Sequence, residues 1–265
     1  MNVTPFNGLW FAYIALLVAL SVGLHFTLRR RTRRVQAWTL SGIAAANVVI
    51  YTAFTFQAIG NPAYPQVTLA QNLPFHFCNL MAWALIFAPL LRWRWLYALV
   101  CFPGVLAGAL ALTSPVDVYL VRPLFSLAAL GFYGVHTINA ALGVLLVTLG
   151  FFEATWRQSL RSVAFFGAMA VLVFPLNLAL RAWVDPDTNY FYEFAPENAE
   201  ILALVHGWVP VPLLYLTLLA PIAFGGCLAI AGIYALAGKL MGHPVGQSPV
   251  QPRAHCAVAQ DRVGE

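Results

Sequence analysis

Residues 8–28 contain no charged side chain, and the next six, RRRTRR, contain five arginines. An uncharged stretch of this kind is about as long as the roughly 20 residues that a helix needs to cross a bilayer. The pattern recurs along the chain. Apolar runs lie at 7–28, 37–59, 73–91, 94–113, 123–150, 160–183 and 207–238. Only 9% of the 265 residues are charged and 61% are hydrophobic, with a mean hydropathy of +0.78. A soluble domain carries roughly 25% charged residues, so this chain lacks the material for a fully wetted surface. The runs predict an all-α bundle of seven transmembrane helices over residues 1–240, because an open sheet would leave backbone groups unpaired in lipid.

The first run is read as a retained helix. A cleavable signal places its positive charge before a shorter apolar stretch, and here the charge follows. The tail, 241–265, is rich in Gly, Pro and Gln without an apolar period and reads as disordered. Cys78, Cys101, Cys227 and Cys256 form no CxxC pair and point to no disulfide framework.

Orientation comes from the basic residues. With the N-terminus outside, 12 of the 14 Lys and Arg fall on one side, leaving only Arg122 and Arg181 opposite. Positive charge marks the cytoplasmic face, so the expected topology is N-out/C-in, in a cell (inner or plasma) membrane. The net charge of +5 then belongs to that face, and neither a nucleic acid nor a soluble partner is indicated. Membrane phospholipids are the expected partners.

Placed by depth, the reactive residues gather in the outer half. His76 and Cys78 open the third run, and His136 lies in the outer half of the fifth. Asn177 and Arg181, one turn apart, end the sixth, and His206 borders the seventh. His136, Asn139, Ala140 and Gly143 form one helical stripe, polar above and small below, which suits close helix contact. Asn47, Tyr51 and Thr55 form a second stripe on another helix. Together these describe a polar chamber. Each member also has a plain structural use: cysteines as small apolar fillers, asparagines as interhelical hydrogen bonders, Arg181 snorkelling to headgroups, Pro74 starting a helix.

A thiol becomes a nucleophile when a base removes its proton. His76 is two residues from Cys78 and cannot share its helical face, which leaves His136 as the base. Asn139, one turn below, could orient the imidazole, and Asn177 or Tyr190 could donate to an oxyanion. The pair is expected in hydrogen-bond contact or about one water apart. Such a set suits acyl transfer between phospholipids through a thioester. His76, Cys78, His136 and His206 could alternatively hold a metal ion, but no two have the i, i+4 spacing of helical metal motifs. No metal or cofactor is therefore expected. No lysine lies within a run, so a retinal-type Schiff base is excluded. The other functional reading is a non-enzymatic binding or transport protein for a small molecule, lipid or metal ion, using the same chamber. In the outer loop, Asn189 and Tyr190 of the TNYFY run are expected to fold back over that chamber.

LPFHFCNL (73–80), FYGVHTINAAL (132–142) and NLALRAWVDPDTNYFYEFAPENAEIL leading to GWVPVP (177–212) resemble the YwaF / transmembrane protein 164 family. The resemblance covers roughly residues 70–216. It implies a cysteine-dependent acyltransferase acting on phospholipids, with the nucleophile falling on Cys78 and the histidine on His136. Members of the bacterial branch of that family, which this chain resembles best, commonly show Lys-Pro where this chain has Ala195-Pro196.

The arginine distribution makes a direct test of topology available. A cysteine introduced into the tail after Lys239 is expected to stay unlabelled by an impermeant thiol reagent in intact cells. One introduced in the 184–206 loop, expected outside, should react.

Overall fold

The computed structural model describes residues 2–3, 6–62, 68–113, 122–123, 126–196 and 200–241. The tail predicted to be disordered lies outside these residues, apart from Met241, which ends the last helix. The architecture is helical: α1 (Gly8–Leu28), α2 (Arg33–Ala58), α3 (Phe77–Leu91), α4 (Arg94–Thr113), α5 (Leu130–Thr148), α6 (Trp156–Trp183), α7 (Glu200–Trp208) and α8 (Ala220–Met241). Two strands of two residues, β1 (Asn2–Val3) and β2 (Arg122–Pro123), pair antiparallel with Asn2 opposite Pro123.

Among the described residues six helices are long and apolar enough to cross a membrane; the last of these stretches runs Leu214–Lys239. The third run is the exception, because α3 has only 15 residues. Its start is displaced from Leu73 to Phe77. Phe75 donates its N–H to the Leu73 carbonyl at 2.7 Å, so Leu73-Pro74-Phe75 is a turn and Pro74 stands before the helix rather than in it. His76 is the extended N-cap residue, and its side chain caps nothing.

The seventh run is also divided. The chain leaves α7 at Trp208, passes Pro210 and Pro212, and turns at Leu213 with φ 62°. Proline lacks an amide hydrogen, so two of them two residues apart stop the helical ladder. A 3₁₀ segment, Leu214–Leu219, then leads into α8. His206 therefore belongs to α7 and does not begin the final span.

Local chemistry sets the other starts. Asn7 accepts from the Trp10 N–H at 2.8 Å, and Thr32 and Thr155 accept from Val35 and Gln158 in the same N-cap geometry. These caps satisfy amides that have no partner within the helix. Thr32 pulls the start of α2 back to Arg33, four residues before the apolar run begins.

α5 is the hub. It packs against α1, α2, α3 and α4, and 72% of its apolar window is buried, compared with 11% for α1. The small residues of its stripe make this possible. A Cβ on Gly143 would lie 2.5 Å from Val105 Cγ2 and 2.8 Å from the Val100 carbonyl oxygen; on Gly108 of α4 it would lie 3.0 Å from the His136 carbonyl oxygen. Leu40, Met81, Leu85, Leu142, Leu145 and Leu146 fill the surrounding core. Both helices carry a π-helical segment, Val100–Gly104 in α4 and Leu130–Gly134 in α5. The second ends two residues before His136.

Because Gly143 faces backbone as well as a branched side chain, Gly143→Ala cannot be relieved by a rotamer change. It is expected to lower stability by about 1–3 kcal/mol, the usual cost of overpacking, read as a lower thermal midpoint of the detergent-purified protein. Gly167→Ala, where a Cβ meets nothing within 4 Å, is expected to have little effect.

Candidate functional site

The site is built where α2, α3 and α5 meet. Asn47 of α2 donates through Nδ2 to Asn139 Oδ1 at 2.9 Å and to the Val135 carbonyl at 3.3 Å. Asn139 in turn donates to the Cys78 carbonyl at 3.0 Å. Four residues along α2, the Tyr51 hydroxyl accepts from Asn79 Nδ2 at 2.7 Å and donates to the Asn72 carbonyl at 3.3 Å. Asn47, Asn79 and Asn139 are all buried, and these bonds engage the amide nitrogen of each, which lipid would leave unpaired, while Asn47 Oδ1 has no partner.

Cys78 is the second residue of α3 and so lies in its first turn, not the second turn expected from the apolar run. Its Sγ donates to Asn79 Oδ1 at 3.6 Å. Cys78 is partly exposed, whereas Cys101 and Cys227 are buried. The thiol's hydrogen-bond partner is Asn79 rather than His136. The two residues are linked instead through Asn139, which sits one turn from His136 and holds the main chain at Cys78.

His136 is buried, and its Nδ1 lies 2.7 Å from the Phe132 carbonyl oxygen. A carbonyl can only accept, so Nδ1 carries the hydrogen, and in the neutral ring Nε2 keeps its lone pair. The ring also lies 4.6 Å from that of Phe132. Orientation thus comes from the turn preceding His136. Asn139, expected to steady the imidazole, has both ends engaged by Asn47 and Cys78.

The outer-loop residues make a second cluster. Asn177, fully buried on α6, donates to the Tyr190 carbonyl at 2.8 Å and to Glu193 Oε2 at 2.7 Å, and accepts from the Tyr190 N–H at 2.9 Å. The Tyr190 hydroxyl donates to the Ala70 carbonyl. Both were expected as oxyanion donors, and both are engaged in folding the loop back onto the bundle. Arg181 donates to the Thr188 carbonyl at 2.9 Å with its guanidinium 4.4 Å from the Phe194 ring centre, so it anchors the loop too. Asn189 bridges the Ala195 carbonyl and the Phe194 N–H. His76 packs edge-on against Tyr190 at 5.0 Å, joining the loop to the start of α3. His206 packs against Tyr215 at 5.0 Å, away from the other histidines' contacts. Among the described residues no three His, Cys, Asp or Glu side chains gather closely enough to hold a metal ion.

Two residues escaped the sequence reading. Asn79 touches both Tyr51 and the Cys78 thiol, and its adjacency to a cysteine was the only signal. Glu193, counted among the outer-loop acids, is fully buried: Asn177 bonds Oε2, and Oε1 has no partner. Burial pushes its carboxyl from the ordinary 4.5 up to about 7, partly opposed by the Asn177 hydrogen bond. Asp185, by contrast, lies below the usual range, chiefly because the Thr68 hydroxyl donates to it at 2.6 Å.

Fold and site together define a multi-pass helical membrane protein with a cysteine and a histidine presented inside the bundle. The TMEM164 family model matches residues 4–228, most of the chain, and the protein belongs to that family. No curated protein and no solved structure matches it.

A carboxyl raised in the folded state favours its neutral form there. Its stabilising contribution is fully present below about 4.5 and is lost as pH rises through about 7. Thermal midpoints measured between pH 4.5 and 8 are expected to fall with rising pH, and Glu193→Gln is expected to flatten that slope.

Proposed function

We propose that this protein is a cysteine-dependent acyltransferase that moves an acyl chain between membrane phospholipids. The observation that carries this reading is the position of Cys78. It occupies the first turn of α3, a turn without a side-chain cap, one Asn139 hydrogen bond from the helix that presents His136. The amides of a helix start carry partial positive charge, which favours a thiolate and, later, an oxyanion.

In this reading Nε2 of His136 takes the thiol proton, and the Cys78 sulfur attacks the ester carbonyl of a donor phospholipid. The tetrahedral intermediate collapses, and the departing lysophospholipid oxygen receives the proton back from His136. An acyl thioester remains on Cys78. His136 then deprotonates the hydroxyl of an acceptor lysophospholipid, which attacks the thioester and regenerates the thiol. The Phe132 carbonyl fixes the tautomer that this sequence of proton transfers needs. Catalytic hydrogen bonds often lengthen without substrate, so the Asn79 partner of the resting thiol is compatible with exchange to His136 on binding. Asn139 and Asn47 act by holding the two helices in register. His76, Tyr190, Asn189, Asn177 and Arg181 support the chamber by seating the loop over α3, and His206 supports the segment beneath it.

We further propose that α3 serves as a seventh span in an N-out/C-in arrangement within the cell membrane. Its 15 residues reach about 22 Å, short of the roughly 30 Å hydrocarbon layer. The segment 68–76 and the Tyr190 loop continue the protein beyond its start, with the Tyr190 hydroxyl bonding the Ala70 carbonyl and its ring packing against Phe75 and His76.

Purified protein in liposomes containing a labelled donor phospholipid and a lysophospholipid acceptor is the direct test. Cys78→Ser and His136→Ala are each expected to lower acyl exchange at least 100-fold without changing the thermal midpoint by more than a few degrees. Undiminished exchange in Cys78→Ala would leave the chamber as a binding or transport site.

A further inference from the structure

At the ends of α2 and α3 remote from Cys78 lies a second concavity. Arg33 opens α2, Arg92 follows α3, and Arg94 opens α4; with Tyr97, Phe151 and Glu153 they line a cavity of about 280 Å³. Along α2, Arg33 is 18 residues or about 27 Å from Tyr51, so this cavity is separate from the acyl-transfer site.

Three arginines face one carboxylate. Arg33 is fixed: it donates to the Leu149 and Gly150 carbonyls at 2.6 and 3.0 Å, and its guanidinium lies 4.7 Å from the Phe151 ring centre. Arg92 lies near enough for its charge to oppose that of Arg33. It is held there by its backbone, which is left-handed at φ 57°, ψ 30°, with the N–H bonded to the Ala88 carbonyl at 3.2 Å. This is the helix-end position that glycine usually occupies, because a Cβ is disfavoured in that conformation. An arginine there directs a mobile cation into the mouth of the cavity at the expense of backbone ease. Arg94 is exposed beside it.

The surroundings place the cavity at headgroup level. Trp93 and Trp95 are exposed and stacked at 5.7 Å, and Trp156 is exposed nearby in sequence to Glu153. Exposed tryptophans of this kind mark a membrane–water interface. A basic pocket between helices, at that depth, matches the forked geometry of guanidinium to a phosphate.

We propose that this cavity binds a phosphate-bearing anion, with Arg92 and Arg94 as the adjustable ligands and Arg33 as the fixed one. The volume is near the lower end for small-molecule sites, about 300 Å³, and suits a headgroup rather than a whole lipid. Two sources share this chemistry, an anionic phospholipid and free phosphate, and they are separable by experiment.

Full-chain protein in detergent is titrated with phosphatidic acid, phosphatidylglycerol or phosphatidylcholine and examined by native mass spectrometry. Inorganic phosphate is added alone in a parallel thermal-shift series. Anionic lipids are expected to be retained over phosphatidylcholine. Arg92→Gly, which suits the left-handed backbone, and Arg94→Gln are each expected to weaken that retention about fivefold, the effect of one interfacial charge. Arg161→Gln, which removes a charge from the same end outside the cavity, is expected to leave it unchanged. Stabilisation by inorganic phosphate with the same arginine dependence would assign the site to free phosphate, and its absence to the lipid headgroup. Equal retention in wild type, Arg92→Gly and Arg94→Gln overturns the proposal, as does an equal loss in Arg161→Gln. Because none of these residues touches Cys78 or His136, acyl exchange is an independent readout, and failure here leaves that reading intact.

Discussion

The Asn47–Asn139–Cys78 chain of hydrogen bonds is the constraint on which the rest of the bundle depends. It ties α2 to α5 through the buried side chains of Asn47 and Asn139, and α5 to α3 through the main-chain carbonyl of the partly exposed Cys78. In such surroundings apolar packing alone does not specify register, since sliding one helix past another exchanges one apolar contact for another. An amide that must find an acceptor does specify it. Hydrogen bonds of this type contribute on the order of 1 kcal/mol each, yet leaving one buried group unpaired costs about 1–3 kcal/mol. The asymmetry makes the asparagines selective as well as cohesive.

Close approach of α4 and α5 is the second constraint, and it explains the position of His136. Gly108 and Gly143 let the backbones meet with almost no space for a Cβ, while the π-helical segments on both sides shift the phase of the side chains. Widened turns are frequent at functional sites. Here the Val135 carbonyl accepts from Asn47 and the Phe132 carbonyl meets the imidazole. The histidine is thus oriented by its own helix, and the neighbouring helices hold that helix in place.

The outer loop is tied down by polar bonds rather than by apolar burial alone. Asn177 grips both the backbone and the Glu193 carboxyl, Leu213 donates to the Glu193 carbonyl at 2.7 Å, and the Tyr215 hydroxyl donates to the Tyr192 carbonyl. Within this arrangement burial pushes the Glu193 carboxyl up to about 7.

The long apolar runs, interrupted by clustered arginines, were enough to determine a helical membrane protein and most helix positions, because lipid tolerates neither charge nor unpaired backbone. The 3.6-residue period of His136, Asn139, Ala140 and Gly143 likewise placed a polar-over-small face inward. What sequence could not decide was set by groups without a sequence signature. The start of α3 depends on a turn closed by backbone bonds around Pro74, and that shift of four residues brings Cys78 into the first turn. The bond joining Cys78 to Asn139 uses a carbonyl that every residue possesses. Asn177 and Tyr190 read as oxyanion donors, and Arg181 as a cation reaching for headgroups, until their partners in the folded loop were visible, and Glu193 carried no assigned role. Tertiary structure decided these because a polar side chain's role depends on which partner reaches it first, and that is fixed only when the helices have packed.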